Sequence, residues 1–288
     1  MEMVRVFIGS DERGGRGEFI MDYGIRKYAS RPVEVTVMEP NESRYGHWGG
    51  AWNRNRDHMR PYAGGHATNF TVFRWTIPEA AGFVGRAIYM DADQTVHGDV
   101  AELHDTPLDG KPCAIRMGVI VFDCEHPFWR SDRWPKIADM RPSGWTMGDY
   151  QQRIKASGGW SDFPVEWDVL DGKEMSVWDA KLNHYTNMRT QPYHPFPDRF
   201  TYPTRHPKPE VDEVWWRQYL EALCHYDKVP VPQFQKFDNI VKTAVEMERA
   251  RGMNCFGRYK GYKYHFTVWP DMLAEAARVN PQGWRGGP

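Results

Sequence analysis

Arg86-Ala87-Ile88-Tyr89-Met90-Asp91-Ala92-Asp93 decides the fold class, because a short apolar run leads straight into two carboxylates one residue apart. The run reads as a buried strand ending at the aspartates. Upstream, Val4 to Gly9 has the same character and breaks at Gly9-Ser10-Asp11, while Val33 to Met38 alternates apolar and polar residues. Phe19 to Ala29 carries helical spacing and closes before Pro32, and Phe70 to Phe83 is a second helical stretch. Strands and helices alternating at this spacing predict an α/β sheet with mostly parallel strands. Ligands collect beyond the carboxyl ends of such strands, so the loops after Gly9 and after Asp91 are expected to face one cleft.

Downstream, Ala114 to Phe122 reads as a strand, Thr146 to Ala156 as a helix and Val165 to Leu170 as a short strand. Past Pro195 the chain turns to proline- and aromatic-rich loops, then to helical patterns at Val214–His225, Asp238–Arg251 and Asp271–Val279. The expected organisation is a main domain over 1–195 and a helical and loop extension over 196–288 packed on it. Asn41 to Gly65 is too long for a simple connection and is expected to be functional or mobile. Arg249 to Lys263 carries five basic residues and no acidic one. That stretch fits either a solvated basic face or a contact with an anionic glycan or lipid surface.

Composition excludes several classes. Across 288 residues, 37 basic and 38 acidic side chains give a formal charge of −1, without the basic excess of a general nucleic-acid binder. Hydrophobic residues at 41% and charged residues at 26% rule out wholesale disorder. No apolar run reaches transmembrane length. The opening residues read as a strand rather than a signal peptide, so a cytoplasmic protein is expected, with peripheral membrane contact left open. Cys113, Cys124, Cys224 and Cys255 form no CxxC pair, which argues against a zinc knuckle. Thirteen Trp, 14 Tyr and 14 Phe suit either a ring-shaped ligand or an aromatic core.

The aspartates carry the sharpest chemistry. Two carboxylates at a strand end can share a hard divalent cation, Mg²⁺ or Mn²⁺, and such a cation can hold a diphosphate. A turn with helix-capping aspartates would use the same residues. His184, after a short apolar stretch, is a candidate third ligand, and an imidazole tilts the set toward Mn²⁺.

In their order along the chain, five segments together resemble the retaining glycosyltransferases of family 8 and their bacterial sugar-transferase relatives. They are Phe7–Arg13, Phe70–Pro78, Ala87–Asp93, Gly118–Asp123 and Asp179–Thr186. The resemblance implies a GT-A fold, in which a nucleotide-binding α/β sheet is flanked by helices. It also implies bound Mn²⁺ or Mg²⁺, a nucleotide-sugar donor, usually UDP-linked, and a glycan, lipid-linked or other hydroxyl acceptor. Carried over by position, Asp91, Asp93 and His184 match metal ligands, with Ala92 between the carboxylates at the donor. Ile8, Gly9 and Asp11 match the base and ribose loop. Arg74 matches an arginine at the donor sugar and phosphates, and a fork there would bind their oxygens. Asp149, opening a helix, falls where an acidic or amide residue lies near the anomeric carbon; a helix-start charge would also explain it. The family's segment after the histidine usually has a Gly and then Lys-Pro-Trp, with the lysine on the diphosphate. Here Asn187 stands at the Gly position and Gln191-Pro192-Tyr193 at the end, which leaves Arg189 as the candidate cation. Arg116 stands where an Asn is often close to the donor sugar. The reading is thus a metal-dependent, retaining hexosyltransferase-type enzyme. A non-catalytic glycan- or nucleotide-binding module, or a sugar nucleotidyltransferase, remain the alternatives.

Overall fold

The computed structural model describes residues 2–10, 15–38, 73–136, 147–192, 206–227, 239–240, 243, 258–259 and 262–263. Asp11, the 41–65 segment, the helical patterns at 271–279 and most of 238–251, and most of the basic stretch 249–263 lie outside the described residues. Two compact units emerge. The first comprises Met1–Glu12, Ile25–Ala92 and His97–Asp168; the second comprises Arg13–Gly24, Asp93–Val96 and Val169–Pro288.

In the first unit, β1 (Val4–Gly9) is an inner strand of the sheet and reads VRVFIG. Val4, Val6 and Ile8 are fully buried, and Phe7 nearly so, as a strand covered on both faces requires. The helix α1 (Gly15–Tyr28) follows, and β2 (Val33–Met38) pairs parallel with β1. A 3-10 turn at Phe73–Thr76 leads into α2 (Ile77–Ala80), and β3 (Arg86–Asp91) pairs parallel with β1. The expected helix from Phe70 to Phe83 is therefore two short pieces where it is described. Pro78 sits in the first turn of α2, where its missing N–H costs nothing, and Phe83 at φ 57° lies beyond the helical region. After β4 (Gln94–Val96) of the second unit comes α3 (Val100–His104), capped by Asp99, whose side chain accepts the Ala101 N–H.

The expected strand Ala114–Phe122 is in fact a hairpin. β5 (Cys113–Arg116) and β6 (Val119–Asp123) pair antiparallel around Met117-Gly118. An unbroken apolar pattern hid the reversal, because both strands are buried and periodicity alone does not mark a tight turn. The sheet order is β2-β1-β3-β6-β5, with only β6 running against the others. The α/β class expected from the alternation, a mostly parallel sheet accompanied by helices, is the observed architecture. Further on, α4 (Met147–Ala156) forms as expected, whereas Val165–Trp167 is a 3-10 turn after Pro164.

In the second unit, β7 (Val169–Leu170) and β8 (Leu182–His184) join β4 in the order β4-β8-β7. A 19-residue helix, α5 (Pro209–Asp227), buries Trp215, Trp216 and Tyr219 completely. Phe19 of α1 meets Tyr219 edge-on at 6.0 Å between ring centroids. Gly24 permits a close approach, since a Cβ there would sit 2.5 Å from the Val96 carbonyl. Two residue pairs, Arg258–Tyr259 (β9) and Tyr262–Lys263 (β10), form a small antiparallel ribbon.

Register places the candidate loops. Gly9 pairs with Asp91 on one side and with Met38 on the other, so β1 and β3 end at one sheet edge. Gly9 is required there by packing rather than by φ: a Cβ would lie 1.9 Å from the Tyr89 hydroxyl and 2.7 Å from its Cζ. Tyr89 is fully buried and its hydroxyl donates to Asp91, so the ring has no room to yield. Gly9→Ala is expected to destabilise the protein by about 1–3 kcal/mol through overpacking, read as a lowered denaturant midpoint at unchanged m-value.

Candidate active site

Asp91 is held by the chain's own cation. Arg74, in the 3-10 turn, places Nη2 2.8 Å from both Asp91 oxygens, and its Nη1 donates to the Met117 carbonyl at 3.0 Å. The Tyr89 hydroxyl donates to Asp91 Oδ1 at 2.8 Å, and the Arg74 guanidinium lies 5.2 Å from the Tyr89 ring centre. Arg74 and Asp91 are each 7% exposed, so the pair is desolvated and its hydrogen bonds are charge-assisted. The hairpin tip closes the arrangement, since the Gly118 carbonyl accepts the Asp91 N–H at 3.3 Å.

Trp75, next to Arg74, anchors the turn. Its ring stacks on Tyr150 of α4 at 5.6 Å and 15°, and its Nε1 donates to Met147 Sδ at 3.1 Å. Helix α4 therefore begins against the Arg74 turn, with Asp149 half-buried in its first turn. Sequence reasoning missed Asp168. This carboxylate is 3% exposed and accepts the Gly118 N–H at 3.4 Å, on the hairpin tip that also serves Arg74. Its one signal in the sequence was an acidic residue flanked on both sides by apolar ones, Trp167 and Val169. Ile8 is fully buried in β1, so Gly9 is the candidate of that pair at the strand end.

Asp93 and His184 belong to the second unit, where strand pairing brings them together. Gln94 of β4 stands opposite His184 of β8, and the Tyr185 N–H donates to the Asp93 carbonyl at 2.9 Å. The ladder thus sets Asp93 beside His184, with Asp93 Oδ1 3.3 Å from His184 Nε2. His184 is 4% exposed, and Asp93 Oδ1 is buried with no hydrogen-bond partner among the described residues. Gln191 holds the other oxygen, its Nε2 donating to Asp93 Oδ2 at 2.9 Å. Beneath them Tyr185 is buried, 3.2 Å from Thr95 Oγ1, and burial pushes its phenol far above the usual tyrosine range. Arg189 is exposed on the turn that follows, its backbone N–H donating to Asn187 Oδ1 at 3.1 Å.

Carboxylates and an imidazole are donors that suit Mn²⁺, and within the second unit Asp93 and His184 offer one of each. The separation within the second unit fits that use. Ligands at right angles on a cation with bonds of roughly 2.1 Å stand about 3 Å apart, and Asp93 Oδ1 and His184 Nε2 lie close to that spacing. A buried carboxylate oxygen with no hydrogen bond among the described residues carries a desolvation cost that a bound cation would offset.

No protein-family model and no curated protein matches this sequence. Among solved structures the chain is similar to the apo bifunctional glycosyltransferase WbbM, at 15% identity and a TM-score of 0.49 over 66% of this chain and 47% of that one. It is also similar to the galactosyltransferase LgtC in complex with donor and acceptor sugar analogues, at 12% identity and a TM-score of 0.46 over 66% and 90%. A third is the apo glycosyltransferase GlyE of Streptococcus pneumoniae, at 14% identity and a TM-score of 0.49 over 92% and 65%. The chain spans less than half the length of the WbbM chain and somewhat under two thirds of GlyE. Among the described residues no helix is long and apolar enough to cross a membrane.

The Arg74–Asp91 pair generates a stability prediction. Arg74→Ala leaves a buried carboxylate without its cation and is expected to cost about 3 kcal/mol in metal-free protein. Arg74→Lys, which keeps the charge but loses the fork, should cost less. Equilibrium denaturation of both variants checks the order; an Arg74→Ala variant as stable as wild type would remove the pair from the structural framework.

Proposed function

We propose that this protein is a metal-dependent glycosyltransferase that moves a sugar from a nucleotide-sugar donor, UDP-linked, to a hydroxyl acceptor with retention of configuration. The observation that carries the reading is Asp93 Oδ1, buried with no hydrogen-bond partner among the described residues and 3.3 Å from His184 Nε2, immediately after a strand that ends in Asp91. A helix-capping turn explains the two aspartates but not a histidine brought to the second of them from 91 residues downstream.

Asp91, Asp93 and His184 would hold Mn²⁺ or Mg²⁺, and the bound cation would supply Lewis-acid neutralisation of the charge on the departing diphosphate. The chain's own residues do the remaining work. Arg74 orients Asp91 and presents positive charge toward donor oxygens, and Gly9 meets the nucleotide at the same sheet edge as Asp91. Asp11 and Arg189 complete the donor contacts in this reading. In the transfer, the bond from the anomeric carbon to the phosphate oxygen breaks and a bond to the acceptor oxygen forms on the same face. The acceptor proton passes to the leaving phosphate oxygen, so no strong protein base is required. Asp149 stabilises the positive charge that develops at the anomeric carbon from the opposite face.

Calorimetric titration of UDP with and without Mn²⁺ tests the reading. UDP is expected to bind about tenfold or more tightly with the ion, and Asp93→Ala or His184→Ala should abolish that difference. Nucleotide binding indifferent to Mn²⁺ would contradict it. For Asp149→Asn, release of UDP from a nucleotide sugar is expected to slow by about 100-fold or more while UDP affinity is unchanged. Full turnover in that variant would leave Asp149 a helix-start charge.

A further inference from the structure

Gln191 stands where the resemblance implies a lysine on the diphosphate, and the structure gives it a different environment. The residue is 2% exposed. Its Nε2 donates to Asp93 Oδ2 at 2.9 Å and to the Tyr185 carbonyl at 2.6 Å. A carbonyl can only accept, and so can an ionised carboxylate. The amide orientation is therefore set by chemistry: nitrogen must face both acceptors and Oε1 must face away. Oε1 is buried with no hydrogen-bond partner among the described residues. The preceding backbone is tightly turned, with Asn187 accepting the Arg189 N–H on Oδ1 at 3.1 Å and the Thr190 N–H on its carbonyl at 2.8 Å. That turn brings a buried amide back onto a carboxylate 98 residues earlier in the chain.

We infer that Gln191 is a positioning residue for the divalent cation: it pins Asp93 through Oδ2, so that Oδ1 is the oxygen presented toward His184 Nε2 and the ion. The inference rests on the metal reading above. A carboxylate with neither oxygen held can rotate about its last bond and offer either one. An amide donor on Oδ2 removes that freedom. It does so without placing a positive charge beside a cation ligand, which a lysine at this position would do. Gln191 thus trades a phosphate contact for a fixed, more electronegative ligand set, and the diphosphate must find its positive charge in the ion and in arginine instead. The buried Oε1 is left as an acceptor for a hydroxyl or water that arrives with the ligand.

The test is Mn²⁺ binding to the full-length protein in the absence of nucleotide, followed by the electron paramagnetic resonance signal of free Mn²⁺. Wild type, Gln191→Met and Gln191→Lys are compared, with metal-free thermal melting measured alongside. Gln191→Met keeps the length of the side chain and loses the donor. Its affinity for Mn²⁺ is expected to fall by about tenfold or more, and Gln191→Lys should fall at least as far. A purely structural role would lower the melting temperature and leave the affinity of the folded protein unchanged. That result overturns the positioning role while the metal reading stands. If Gln191→Met does not fold, Gln191→Asn is judged by the same affinity criterion, its amide being one methylene too short to reach both acceptors. Wild-type protein that takes up no Mn²⁺ overturns the metal reading, and the role of Gln191 falls with it.

Discussion

A carboxylate removed from water needs a partner, and two of them stand one residue apart, one at the end of β3 and one just before β4. Their partners differ in kind. Asp91 receives a permanent cation from Arg74 and a hydroxyl from Tyr89. Asp93 receives a neutral amide on one oxygen and faces a histidine with the other. The first carboxylate is thereby a fixed part of the framework in the metal-free protein. The second is held in place by a neutral amide, an arrangement that suits a reversible cation site. Much of the surrounding structure serves this contrast, including Trp75 anchoring the arginine turn, Gly9 making room for Tyr89 and β8 delivering His184.

The aromatic content follows the same logic of support. Trp75, Trp129, Trp134 and Tyr150 form a cluster beneath the sheet, with Trp129 and Trp134 only 4.8 Å apart between ring centres. Trp215 and Trp216 are buried in α5. Of the two uses that composition left open, the described aromatics mostly take the core. Large rigid rings suit that role near a site, because they fix neighbouring backbone with few rotatable bonds. Trp178, 52% exposed with the Arg217 guanidinium 5.6 Å from its ring centre, is an exception on the surface.

Elements with strong local signals were legible in the sequence. The apolar runs at Val4–Gly9 and Arg86–Asp91 mark the central strands, and the break after each marks the sheet edge where Gly9 and Asp91 prove to be register partners. Features that depend on long-range pairing were not legible. Strands β4 and β8 have three residues each, too short for a periodic pattern, and they pair across nearly a third of the chain. The hairpin at Met117-Gly118 lay hidden inside a continuous apolar stretch. Arg74 was identified from its place in a motif, but its contact with Asp91 through Nη2 could not be, since a side chain's partner is set by tertiary geometry. Gln191 looked like a missing lysine; only the β8 turn reveals the amide aimed at Asp93.

The metal site is tested most directly by anomalous diffraction from crystals soaked with Mn²⁺ and UDP, measured at the manganese edge. One anomalous peak is expected within bonding distance of Asp93 Oδ1, His184 Nε2 and an Asp91 oxygen, with the diphosphate on its open side. Nucleotide density accompanied by no manganese, or by manganese away from His184, would contradict the metal site and the transferase reading built on it.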